Sequence, residues 1–239
     1  MACSVNTRSR RVLPNGLTIV AASVRAAPVF TAMLVVEAGS RYDPEGRSGL
    51  AAMEGGLLLE GSNERSASSI ARAVDSMGSS LDSVTGYETT AVIAGGLVDH
   101  CAESMRLLAE VATSPALEQP AVDECIRRQL AELADDEAQP YDVCRKHFLK
   151  TVFLGHPRGN PVGGLAETVS GVTRQDLEDF HTRHYRPANG IGAVAGDLDA
   201  SELADIAAAS FYGWRGAGPQ PEAPPPPARQ HGRRVASVS

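Results

Sequence analysis

The 239-residue sequence predicts an α+β layer fold, in which a mixed or antiparallel sheet packs against helices. Two observations set that class. Strand-like segments follow one another through short turns, and the order of elements reads β-β-α-α-β-β-α-α-α-α-β-α, unlike the strict alternation of a doubly wound parallel sheet. A third describes the interior: 43% of the residues are apolar but only 5% aromatic, so the core should be built from small, tightly packed aliphatic side chains.

Leu13-Pro-Asn-Gly16 is a turn signal, and it leads into Leu17 to Val24 and then Phe30 to Ser40, two β-rich runs bounded by Pro28 and Gly39. Arg41 to Gly49 is a polar loop. The stretch after it, GLAAMEGGLLLEG, has helical composition despite two adjacent glycines, Gly55 and Gly56. Ser66 to Met77 places Ile70, Ala73, Val74 and Met77 at helical spacing, with Gly78 as the C-cap candidate. SLDSVTGYETTAVIAGGL then reads either as two strands joined by a turn at Gly86 or as one bulged strand. Val98 to Thr113 and Glu118 to Glu137 are helical, parted by Ser114-Pro115, and Pro140 opens a further helix from Tyr141 to about Thr151.

FLGHPRGNPVGG is a loop rich in glycine and proline. Thr173 is an N-cap for the helix in TRQDLEDFHTRHY, whose first turns carry acids. Asn189 to Ala195 is a strand and Ala200 to Phe211 a final helix. The domain is therefore expected over residues 13–214, after a short extension at 1–12 and before a proline-rich linker at 215–239 with four consecutive prolines.

A formal net charge of -7 provides no basic field for a phosphate backbone, which argues against nucleic acid as a partner. Cys3, Cys101, Cys125 and Cys144 lie far apart and form no CxxC pair, as expected of reduced thiols in a bacterial cytoplasm. Neither a long apolar run nor a secretory leader is visible, so a soluble protein without membrane insertion is expected. Arg8, Arg10 and Arg11 without nearby acids faintly suggest a mitochondrial presequence, the alternative location.

From LPNGLTIV through VEAGSRYDPEGRSGLA to FLGHPRGNPVGG, FHTRHYRPAN and AVAGDL, the sequence resembles the N-terminal half of the M16 zinc peptidases, the pitrilysin, insulinase and mitochondrial processing peptidase family. The resemblance implies the family's α+β domain. It also implies a place for the inverted zincin motif H-x-x-E-H, in which two histidines hold zinc and the glutamate takes a proton from its bound water. Laid over GLAAMEGGLLLEGS, the first histidine falls on Ala52, the glutamate on Gly55 and the second histidine on Gly56. All three functional side chains are absent. The family's third ligand falls on Glu132, a vestigial position, and no bound metal or other cofactor is expected.

Glu54 stands one position before the base position, about 100° around the helix, and is expected to face solvent. His181 and His184 could in principle join Glu132 in an unconventional metal set, though packing is the expected role for both. His156 belongs to a loop that matches the family, His147 to a polar helix face, and His100 opens a later helix that matches no metal-bearing element. The resemblance thus implies a catalytically inactive homologue that pairs with a zinc-bearing M16 partner. A second homologous domain is expected beyond the linker or on a separate polypeptide, since GRRVASVS stops where its first strand should begin. A scaffold module without a peptidase role and an active enzyme with the unconventional ligand set are the alternatives.

Overall fold

The structure is a computed structural model that describes residues 7–216, Pro225–Ala228, Gly232 and Val235. Six strands form one mixed sheet: β1 (Thr7–Val12), β2 (Thr18–Ser23), β3 (Val29–Val36), β4 (Ser80–Thr85), β5 (Thr90–Leu97) and β6 (Gly190–Gly196). Their order across the sheet is β1-β2-β6-β3-β5-β4, with β2 and β6 parallel and every other neighbour antiparallel. Eight helices accompany them: α1 (Leu50–Leu57), α2 (Ala67–Ser76), α3 (Cys101–Thr113), α4 (Gln119–Glu137), α5 (Pro140–Val152), α6 (Ala166–Val169), α7 (Arg174–His184) and α8 (Ala200–Ser210). Among the described residues no helix is long and apolar enough to cross a membrane.

Alternation along the strands sends Ile19, Ala21, Phe30, Ala32, Leu34, Val92, Ala94 and Val194 to one face, where each is buried. Helices α3 and α8 cover that face with Met105, Leu108, Leu203, Ala204 and Ala207. The layered α+β architecture is therefore present, and all the described helices that pack on the sheet lie on this one side. SLDSVTGYETTAVIAGGL forms two strands, β4 and β5, closed by a turn in which Gly86 N–H donates to Thr89 O at 2.8 Å.

Several boundaries follow local chemistry. Ser66 caps α2 by accepting from Ser69 N, and Thr173 with Asp176 forms a reciprocal capping box at α7. Pro140 stands in the first turn of α5, where its missing N–H leaves no bond unmade. Thr7–Val12, expected as an extension ahead of the domain, is the edge strand β1 and pairs residue by residue with β2. Its TRSRRV carries three arginines and hides the apolar alternation that marks the other strands. Burial at the other end of the domain reaches Trp214, whose ring lies tilted against Phe211 at 5.8 Å between centroids.

Candidate functional site

Helix α1 is the floor of the candidate site, and a half-buried carboxyl from the preceding loop starts it. Asp43 accepts hydrogen bonds from Gly49 N and Ala51 N, both at 2.8 Å, and so satisfies two donors that an α-helix leaves unpaired at its first turn. Gly49 itself has φ +97°, a left-handed conformation that a side chain would strain. Burial pushes the Asp43 carboxyl up to about 7, and the two backbone donors pull it partly back.

The three positions where catalytic side chains are missing then follow. Ala52 is half-buried, Gly55 buried and Gly56 exposed. A Cβ at Gly55 would overlap Thr85 Oγ1 of strand β4 and press on Thr90 Cγ2 at 3.3 Å. The Thr85 hydroxyl meets Thr90 Oγ1 at 3.0 Å, and Thr90 in turn donates to Ala38 O at 3.0 Å. Helix and sheet have thus closed on each other at Gly55, leaving no room for even a methyl group, far less a carboxylate. Gly56 differs: a Cβ there would find only Arg128 Nη2, at 3.7 Å.

Arg128 comes from α4, one turn before Glu132, so the two share a helix face. Its Nη1 pairs with Glu60 Oε1 at 3.2 Å, and these two acids help raise the guanidinium's pKa against the opposing effect of burial. The surroundings of the vestigial Glu132 therefore hold a fixed cation of the protein itself. An alanine, two glycines and one carboxylate beside an arginine do not fit zinc, which takes imidazole, thiolate and carboxylate donors, ordinarily three from the protein at a catalytic site. Among the described residues no group of three His, Cys, Asp or Glu side chains could hold a metal ion.

Glu54 reverses an expectation. It does not face solvent: it is 0% exposed, and neither carboxyl oxygen has a hydrogen-bond partner. The physical reason is spacing, because Glu54 follows Leu50 by one turn and precedes Leu57 and Leu58 on the same buried stripe. Burial pushes the carboxyl up to about 8 from an ordinary 4.5. The Tyr185 phenol offsets part of that rise, although no hydrogen bond is closed at the Tyr185 hydroxyl either.

His181 Nε2 lies 3.9 Å from Glu54 Oε1 and 3.2 Å from Ala112 O, and its ring stacks on Tyr185 at 4.5 Å. Desolvation drives its pKa down to about 4, with the Ala112 carbonyl opposing the change. A neutral imidazole beside a protonated carboxyl is the state this pocket favours at neutral pH. His184 turns elsewhere, onto Phe180 at 4.4 Å and Tyr42 at 5.1 Å, and burial lowers it to about 4 as well. The structure does not bring His181, His184 and Glu132 together as one metal set.

The other histidines are spread out. His156 accepts from Arg158 N through Nδ1 at 3.1 Å, so its Nε2–H is available to donate to Pro225 O at 2.9 Å. The loop that carries it borders the site: Tyr87 O–H donates to Asn160 O at 3.1 Å, and Gly164 packs against Ser48 just before α1. His147 lies on α5 and His100 at the start of α3, in the positions the sequence suggests. Sequence reasoning missed Asp43, Thr85 and Arg128. For Arg128 a signal was present in its four-residue spacing to Glu132; for the other two the contacts span loops and strands.

A family model described as "Insulinase (Peptidase family M16)" matches residues 18–164, and one described as "Peptidase M16 inactive domain" matches residues 171–238. Among curated proteins, an uncharacterized zinc protease of Mycobacterium leprae is 33% identical over 205 residues, which cover 84% of this chain and 45% of that protein. Cytochrome b-c1 complex subunit 1 of Bos taurus mitochondria is 29% identical over 204 residues, 85% of this chain and 42% of that one. The chain thus spans about half the length of the curated relatives it matches. Among solved structures, a peptidase M16 inactive domain from Pseudomonas fluorescens superposes with a TM-score of 0.87 at 22% identity, covering 93% of this chain and 54% of that one. Pitrilysin gives 0.82 at 24% identity over 96% of this chain and 25% of that one. At such identities the structural matches speak to the fold.

Proposed function

The chain belongs to the M16 insulinase family of peptidases, and we propose that it acts there as a non-catalytic subunit, pairing with a zinc-bearing M16 homologue in the processing or degradation of peptides. One observation carries the reading: the helix that would bear H-x-x-E-H has Ala52, Gly55 and Gly56 at its functional positions and is closed against Thr85. Without metal donors nothing at these positions lowers the pKa of an attacking water. Arg128 adds electrostatic opposition to any cation near Glu132.

Peptide handling has a physical basis that does not need catalysis. Strand β4 is the last strand of the sheet, beside α1, and an edge strand can accept an extended peptide through main-chain hydrogen bonds. Similarity to a cytochrome b-c1 complex subunit supports a second reading, a scaffold module without peptidase role. Peptide binding at β4 separates the two. The proposed compartment is the bacterial cytoplasm, with the mitochondrion as the alternative, on the strength of the scattered cysteines.

The test is cleavage of a mixed peptide pool by the chain, by a zinc-bearing M16 homologue from the same genome, and by the two mixed. The reading expects no chelator-sensitive cleavage from the chain alone and faster cleavage from the mixture than from the homologue. Chelator-sensitive cleavage by the chain alone would overturn it.

A further inference from the structure

The proline tract meets the domain again after leaving it. Pro224 to Pro227 are consecutive in the sequence, and Pro225, Pro226, Pro227 and Ala228 are all exposed. Pro225 O accepts from His156 Nε2–H at 2.9 Å, a contact across 69 positions of the chain. Proline has no N–H, so such a tract offers a partner only carbonyl oxygens and rings. Whatever holds it must supply a donor and flat surfaces, as the aromatic grooves that take polyproline II segments do.

The loop around His156 supplies both. Arg158 N donates to His156 Nδ1 at 3.1 Å, which leaves the ring proton on Nε2, the atom that faces the tract. The backbone beneath is folded on itself, with His156 N bonded to Phe153 O and Gly159 N to His156 O, each at 2.9 Å. Phe153 lies tilted beside the imidazole at 6.3 Å between ring centroids. The Arg158 guanidinium stands 5.6 Å from the ring centroids of both Phe153 and Tyr87, and the Tyr87 hydroxyl donates to Asn160 O. The donor is thus held ready among two aromatic rings and a cation. A single hydrogen bond is weak between separate molecules, but here the partners are tethered. Gly216 lies against the Arg186 side chain, where an added Cβ would come within 3.1 Å of Cγ, and Pro225 follows nine residues later, within a reach of about 30 Å. A short tether gives an effective concentration in the millimolar range, and prolines lose little freedom on docking.

We infer that the loop 153–160, together with Tyr87, is a docking site for polyproline segments, and that its occupant is the chain's own tract, clasped at the Pro225 carbonyl by His156. The clasp sets the course of the chain past the turn between β4 and β5, which carries Tyr87. It is independent of the functional reading above.

Nuclear magnetic resonance of the full chain tests it, with a nitroxide on Ala228→Cys, Cys3 and Cys144 replaced by serine, and the buried Cys101 and Cys125 retained. The label is expected to broaden the amides of His156, Arg158, Gly159 and Asn160. His156→Asn keeps a side-chain acceptor for Arg158 N but brings no donor to the tract, and should reduce that broadening by about threefold or more. The triple change Pro225→Gly, Pro226→Gly and Pro227→Gly should reduce it as well, because the freed backbone then pays an ordering cost on docking. Excess of a free peptide with the sequence of residues 221–229 should displace the tract and do the same. An unbroadened loop in the labelled parent overturns the inference. So does broadening indifferent to both variants, or broadening that arises only between separately labelled copies mixed together.

Discussion

The first turn of α1 and its middle each hold a carboxyl withdrawn from water, Asp43 half-buried and Glu54 fully buried, in opposite circumstances. Asp43 receives two backbone N–H donors at the helix start, while Glu54, one and a half turns further on, receives none. Both have pKa values raised by desolvation, yet only Asp43 returns something to the fold. Position relative to the helix, not burial, separates an anchor from a burden. A carboxyl at the N-terminus finds unpaired donors, whereas one in the middle faces a backbone already bonded to itself.

Removing the anchor has the largest expected effect. Asp43→Ala should cost about 4 kcal/mol in chemical denaturation at pH 8, because two charge-assisted bonds vanish and Gly49 N and Ala51 N are left buried without acceptors. Relieving the burden should do the reverse. The folded state holds the Glu54 proton up to about pH 8, while the unfolded chain releases it near 4.5, so stability falls as pH rises through that window. Glu54→Gln should therefore match the wild type below pH 4.5 and exceed it by about 3 kcal/mol at pH 7, levelling off above pH 8. His181 and His184 pull the other way, losing stability as pH falls from 6.5 towards 4, so the difference between the two proteins above pH 6.5 isolates Glu54. Parallel curves for the two proteins would mean that Glu54 finds a partner in solution.

The neighbouring glycines sharpen the contrast with smaller effects. Gly55→Ala should destabilise by about 2 kcal/mol, since the new methyl meets the Thr85 hydroxyl and forces α1 away from β4. Gly56→Ala should stabilise by about 0.5 to 1 kcal/mol, because it lowers the entropy of the unfolded chain and meets nothing closer than Arg128 Nη2 at 3.7 Å. Thermal melts of the two variants should shift in opposite directions. Shifts of the same sign would remove the asymmetry that marks one face of α1 as closed and the other as open.

Much of this fold is legible in the residues themselves. Turn signals such as Leu13-Pro-Asn-Gly16, the capping pair of Thr173 and Asp176, and Pro140 at a helix start are local features that act through nearest neighbours. β1 is harder to see, because its arginines belong to an edge strand whose one face is open and whose other face meets Asp205, far along the chain. The emptiness at Ala52, Gly55 and Gly56 is readable from a resemblance. What fills it is not, because Thr85 and Arg128 arrive from elements that only the tertiary fold brings to α1. Glu54 is hidden for a different reason: its offset of about 100° from the base position says only that it leaves that side of α1, while the spacing of Leu50, Leu57 and Leu58 sends it to the buried stripe.

Metal stoichiometry tests the central claim most directly. The purified full chain would be incubated with excess zinc, freed of unbound ion by gel filtration and examined by elemental analysis, alone and then with a zinc-bearing M16 homologue. The account predicts no stoichiometric zinc on the chain alone, and zinc in the mixture equal to what the homologue carries by itself. One equivalent retained by the chain alone would contradict the reading of Ala52, Gly55 and Gly56 as a site that has closed.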